Sequence, residues 1–309
     1  NATDFTGFNS SATLTTFFMT SVLAKADLNR INYLPMQMRA VYDYLSSAVD
    51  VYLLQVAKDA SGILRLGHNV DFHLGVMQSA KVIIAELNHA IVAPASGLPI
   101  DPEKINYVFQ SHRALAQIPA PRVDSAAAEI GVLVEQLIGD GDCLQTGIGA
   151  IPAAILAKLG NKNDLGLHGG LIDDGGMALI KAGNITGAAK AIDRYEHIIG
   201  MALGTKTLFD WLSDERAIKF RGADYTHEVQ VIRQLENFVS INSAVEVDLF
   251  GQVNAEVAGG RQISGTGGSV DFMRAAKSSK GGRSIVAMNA TARGGSVSRI
   301  VPRVEMVTA

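Results

Sequence analysis

Residues 143–152 read Cys-Leu-Gln-Thr-Gly-Ile-Gly-Ala-Ile-Pro. A short apolar run enters Gly147-x-Gly149, and Pro152 follows where a helix would begin. The stretch therefore predicts a strand, a tight turn and a helix. Glycines at such a turn let a ligand approach the backbone. The free N–H groups of a helix start attract a phosphate or a developing oxyanion. A plain strand-to-helix turn accounts for the same residues equally well. The dinucleotide fingerprint is excluded, because the third glycine is absent and no acidic residue follows at a suitable distance.

Outward from this segment, the chain reads as α/β. Residues 31–34, 49–56 and 81–87 are rich in β-branched and aromatic residues, and 38–47 between them has helical spacing. Short apolar strands separated by helices predict a parallel sheet covered on both faces. Two prolines at 119 and 121 mark a seam, so the expected domains are 1–122 and 123–309. Beyond it, Asp124 is an expected N-cap for a helix to residue 137. Residues 148–159 and 174–182 read as helices, and 238–247 and 284–288 as strands. Of the 31 glycines, 25 lie from residue 139 onward, which places the close backbone approaches in the second part.

Composition narrows the function. The 309 residues are 48% hydrophobic and 18% charged with mean hydropathy +0.18, which excludes intrinsic disorder. A formal charge of −3 without a basic stripe argues against nucleic acid. No apolar run approaches the roughly 20 residues of a spanning helix, and the polar residues 1–11 do not read as a signal peptide. The single cysteine, Cys143, permits no intrachain disulfide, and a reducing cytoplasm is the expected setting. The chain does not begin with Met, so a start inside a longer product is expected.

Three further segments carry chemistry. In 262–272, Gln-Ile-Ser-Gly-Thr-Gly-Gly-Ser-Val-Asp-Phe, the glycines at 265, 267 and 268 suit a nest of N–H donors, or else a glycine-rich turn. In 241–249 one strand would present Val245, Val247 and Leu249 on one face and Glu246 and Asp248 on the other. Two such carboxylates should raise at least one pKa, as at active sites, although a solvated polar face fits the pattern better. In 165–175, His168 is a candidate base or a structural hydrogen-bonding group. The seven histidines form no metal-binding spacing, so no metal is expected, and no nucleophile elbow of Gly-x-Ser-x-Gly type occurs. Lys277, Lys280, Arg283, Arg293 and Arg299 form a loose positive region, read by default as a solvated face.

Taken in order, Gly147-Ile-Gly-Ala-Ile-Pro152, Leu165-Gly-Leu-His168 with Asp174-Gly175, Ile241-Asn-Ser-Ala-Val-Glu-Val-Asp-Leu-Phe-Gly-Gln, Ser264-Gly-Thr-Gly-Gly-Ser, Ser279-Lys-Gly-Gly-Arg-Ser and Ser298-Arg-Ile-Val-Pro302 resemble the acetyl-CoA hydrolase/4-hydroxybutyrate CoA-transferase family. The resemblance reaches nearly the whole chain, including Asp71-Phe72. It implies two α/β domains of the CoA-transferase fold, with the active site in the cleft between them. It also implies ping-pong transfer of CoA between a short-chain acyl-CoA and a carboxylate such as acetate or 4-hydroxybutyrate. CoA is then a substrate, no cofactor is permanently bound, and a homodimer or homotetramer is expected. The family's CoA and oxyanion positions map onto Gly147, Ile148, Gly149, Ala150, Ile151, Gly265, Gly267 and Gly268.

One position departs from that pattern. The family's nucleophilic glutamate stands two residues after the histidine, and here that position is Gly170. Three explanations stay open: Glu246 supplies the carboxylate, water attacks in the space made by glycine to give an acyl-CoA hydrolase, or CoA is bound without turnover. The resemblance also places family segments before Asn1 and after Pro302, so an isolated 309-residue chain is expected to need a partner over an exposed sheet edge. A sugar-phosphate isomerase on a related fold is the remote alternative.

Overall fold

A computed structural model describes residues 4–9 and 11–309; the reading of 1–11 as no signal peptide falls in part on residues 1–3 and 10, outside the described residues. The expected strand at 31–34 forms over 31–33, parallel to 14–16. Then follow α1 (Met38–Ala48), β1 (Val51–Lys58), β2 (Leu64–Leu66), α2 (His73–Ser79), β3 (Val82–Asn88) and β4 (Tyr107–Ser111). They make a sheet in the order β2-β1-β3-β4, parallel except for the β1–β2 hairpin. Alternation along the strands turns Leu54, Val56, Ile83 and Ala85 into the core. The other face is not covered as the sequence suggested: Leu53 and Tyr107, aligned through Ile84, are 70% and 65% exposed.

Asp124 caps α3 (Ser125–Glu135), its Oδ1 accepting from the Ala127 N–H at 2.8 Å. Asp124→Ala is expected to cost about 1 kcal/mol, read as a lower urea midpoint. The segment quoted first then forms β5 (Cys143–Thr146) and α4 (Ala150–Leu156). Pro152 is the third helical residue, not the first. The N–H it lacks is one of those a helix start leaves unpaired in any case. Ile155 and Leu156 are buried, each contributing roughly 2 kcal/mol that anchors the helix behind its turn.

The rest of the chain supplies β6 (Gly166–Leu167), α5 (Asp174–Lys181), β7 (His197–Ile199), α6 (Lys206–Leu212), β8 (Ile218–Phe220), α7 (Ala223–Thr226), α8 (Val229–Ile232) and β9 (Phe238–Asn242). After these come β10 (Glu246–Asp248), β11 (Val253–Asn254), α9 (Ser269–Ser278), β12 (Arg283–Val286) and β13 (Ile300–Val301). A second, wholly parallel sheet runs β12-β9-β5-β6. One apolar cluster joins Leu54, Val56 and Ile83 to Leu144, Ile155 and Ile241, so both sheets share it. The single strand expected over 238–247 is two strands. β10 lies in a separate small sheet, antiparallel to β11 and parallel to β13. Among the described residues no helix is long and apolar enough to cross a membrane.

Candidate functional site

The Gly147-Ile148-Gly149 turn leaves the C-terminal end of β5. Gly149 has φ +117°, a conformation L side chains avoid, and a Cβ there would meet nothing within 4 Å. Backbone shape, not crowding, therefore requires glycine at 149. Ile148 and Gly149 form part of the wall of a cavity of about 760 Å³, opposite the 118–121 proline segment and α5. The wall is mostly apolar. Its two carboxylates are already engaged: Asp173 caps α5 through the Gly176 N–H (2.9 Å), and Asp174 accepts from the Thr205 N–H (2.9 Å) and Oγ1 (2.6 Å). Burial also pushes the Asp173 carboxyl upward.

The second glycine segment lies elsewhere. A Cβ on Gly265 would collide with the Phe17 carbonyl oxygen, and one on Gly268 with His227 Nε2. Gly267 has φ +56° and open space around it. Thr266 Oγ1 donates to Glu256 at 3.2 Å, as do Tyr33 Oη (3.2 Å) and Thr308 Oγ1 (2.9 Å). Glu256 is thus a buried carboxylate held by three hydroxyls beside a cavity of about 410 Å³. Burial, with the Glu256 charge, pushes the Tyr33 hydroxyl up to about 12.

His168 is fully buried, against Tyr225 and Phe238. Burial first, then the Lys190 and His227 charges, push it down to about 3. Gly170 follows at the end of the loop, its carbonyl accepting from the Gly200 (3.1 Å) and Met201 (2.9 Å) N–H groups. A Cβ on Gly170 would lie 3.2 Å from both Cε1 and Nε2 of His227. His227 therefore touches the loop after His168 and the 265–268 loop at once, although nothing in the sequence set it apart from the other histidines. Its ring packs on Phe272 at a 40° tilt with centroids 4.5 Å apart, and Thr226 Oγ1 lies 2.8 Å from its Nδ1.

Asp71 also reaches this place. It is 1% exposed, and neither carboxylate oxygen has a hydrogen-bond partner among the described residues. A Cβ on Gly200 would collide with Asp71 Oδ1 and lie 3.1 Å from the Gly170 carbonyl oxygen, so glycine at 200 makes room for the acid. Burial pushes its pKa up to about 7.

Glu246 sits on β10, half-buried, and is not part of the 760 Å³ wall. Its Oε1 accepts from Asn254 Nδ2 (3.0 Å) and the Glu305 N–H (2.7 Å). The carboxylate pair does not behave as expected at Asp248. Burial raises that group, but the Gln252, Val304 and Phe250 N–H donors outweigh it and hold Asp248 below the ordinary range. Leu249, expected to share a strand face with Val245 and Val247, lies beyond the strand, which ends at Asp248, and is 76% exposed. The positive region is largely occupied: Lys280 pairs with Glu236, Arg283 with Asp142, and Arg299 donates to the Ala244 and Val245 carbonyls. No group of three or more potential metal ligands occurs among the described residues.

Comparison with known proteins adds to this geometry. Residues 204–309 match the acetyl-CoA hydrolase/transferase C-terminal domain. A 4-hydroxybutyrate coenzyme A transferase of Clostridium kluyveri is 40% identical over 255 residues, which is 82% of this chain and 59% of that protein. A butyryl-CoA:acetate CoA-transferase of Anaerostipes caccae is 36% identical, over 79% of this chain and 56% of that protein. RipA from Yersinia pestis superposes with a TM-score of 0.89 at 31% identity, over 96% of this chain and 70% of its own. The chain thus spans under three fifths of the length of the curated relatives named here.

Proposed function

The chain belongs to the acetyl-CoA hydrolase/4-hydroxybutyrate CoA-transferase family, and we propose that it handles the thioester in an enzyme moving CoA between a short-chain acyl-CoA and a carboxylate such as acetate or 4-hydroxybutyrate. Ile148 and Gly149 of the turn, on the wall of an apolar cavity, carry this reading. The apolar wall suits an acyl chain or the pantetheine arm better than phosphates. Backbone N–H groups of residues 147–151 are assigned to the thioester oxygen, where one donor is worth roughly 3 kcal/mol of barrier. Glu246 is the candidate nucleophile: its Oε2 makes no hydrogen bond among the described residues, which leaves a lone pair for attack. Attack expels CoA thiolate and leaves an acyl–glutamyl anhydride. CoA thiolate then returns to the glutamyl carbonyl, freeing the first carboxylate, and the second carboxylate accepts the CoA. The cytoplasm and a homodimer or homotetramer complete the proposal; the free, buried Cys143, whose thiol burial pushes up to about 12, supports the first alone.

The test is intact mass of the complete protein after mixing with acetyl-CoA, with peptide mapping. The expected result is a covalent CoA adduct on Glu246. In Glu246→Gln that adduct is absent, and exchange of labelled acetate into acetyl-CoA falls about 10³-fold or more. Gly170 favours a second reading, hydrolysis by water. It is recognised by steady thiol release with neither adduct nor carboxylate acceptor.

A further inference from the structure

We propose that His227 is the general base that activates a water molecule over Gly170, so that the acyl group of a short-chain acyl-CoA is released to water. The inference rests on the hydrolytic reading above and names the residue that reading lacks.

Three observations converge on the ring. It is clamped: Phe272 packs on it at a 40° tilt, and it lies against Gly170 and Gly268, where any side chain would press on it. Its tautomer is set by Thr226, whose hydroxyl lies 3.2 Å from the Gly222 carbonyl, a group that can only accept. With the hydroxyl proton directed to that carbonyl, Thr226 Oγ1 accepts from His227 Nδ1–H at 2.8 Å, the tautomer this proposal assigns. Nε2 is therefore left with a lone pair, and it makes no hydrogen bond to any described residue. Finally, that nitrogen is the atom facing the two glycines. Burial pushes the ring pKa down to about 3, which keeps it neutral at rest; only the oxyanion forming beside it offsets the cost of charging it.

The step balances as follows. Nε2 takes a proton from water while the water oxygen bonds to the thioester carbonyl carbon. An imidazolium and a tetrahedral oxyanion form side by side and offset each other's charge. The C–S bond then breaks, and the proton passes from Nε2–H to the leaving sulfur. The products are a carboxylic acid and CoA thiol. A base is useful to water alone among the possible nucleophiles, because a carboxylate acceptor is already ionised.

The experiment follows thiol release from acetyl-CoA by the complete protein without a carboxylate acceptor. His227→Gln is expected to lower kcat about 100-fold or more, with KM changed less than about threefold and CoA binding by calorimetry retained. Thr226→Val, which frees the ring to take either tautomer, is expected to lower kcat about tenfold. Nitrogen-15 NMR gives a readout independent of turnover: protonated Nδ1 and bare Nε2 in the wild type, mixed tautomers in Thr226→Val. If His227→Gln does not fold, the Thr226 variant and the NMR signal decide. Undiminished thiol release in His227→Gln, or a protonated Nε2 in the wild type, overturns the proposal. Acetate exchange without thiol release overturns it while sparing the transferase reading, and absence of CoA binding overturns both.

Discussion

Asp71→Asn is expected to stabilise the folded protein by about 4 kcal/mol near pH 8 and by only about 1 kcal/mol near pH 4.5. The cause is the burial of a carboxyl with no hydrogen-bond partner among the described residues, which moves its pKa from the ordinary 3.8 to about 7. The folded-state value lies above the unfolded one, so the group favours the folded state only while protonated. As pH rises from about 4 to about 7 the unfolded chain ionises freely and the native chain does not, and stability falls across that window. Asparagine matches the neutral acid in shape and stays neutral, so it removes the ionisation cost without leaving a new gap. Urea unfolding at both pH values checks this, and an equal effect of the substitution at the two would sink it. The converse change, Gly200→Ala, pushes a methyl group into the same carboxyl and should destabilise at every pH.

That acid shows where sequence reading stops. The strand, turn and helix of 143–156 were legible because each signal is local: apolar residues, then Gly149 at positive φ, then a helical run. Asp124 was legible for the same reason, since its partner is the N–H three residues on. The break between β9 and β10 was not. The backbone there is fixed by Arg299, whose Nε donates to the Val245 carbonyl at 2.6 Å across a sequence separation of 54. Continuous alternation from 238 to 249 gave no hint of it. The same limit governs the site. Asp71 meets Gly200, and His227 meets both Gly170 and Gly268, only because parallel strands and their crossovers bring distant loops together. A glycine gap is visible in a sequence; the ring or carboxyl that borders it is not.

Gly268→Ala should consequently cost more than Gly267→Ala, although the second has the less ordinary backbone. At 267 the φ of +56° penalises any L residue, but an added methyl meets nothing within 4 Å, so the expected loss is about 1 kcal/mol. At 268 the backbone is ordinary, with φ −93°, yet the methyl would strike His227 Nε2 and lie 2.6 Å from its Cδ2 and 2.9 Å from Phe272 Cε2. Both rings are buried, and Phe238 stands behind Phe272, so neither ring can withdraw without opening a cavity. Overpacking of this kind costs typically 1–3 kcal/mol, and we place Gly268→Ala near the upper end, at about 3 kcal/mol. The displaced ring also loses its position over Gly170. Thiol release should therefore fall about 100-fold in Gly268→Ala, and less than threefold or so in Gly267→Ala. Urea midpoints and acetyl-CoA turnover on the two variants separate the effects. If Gly267→Ala is the more damaging in both assays, the loop serves as a backbone cradle for the ligand, and His227 is not what its glycines accommodate.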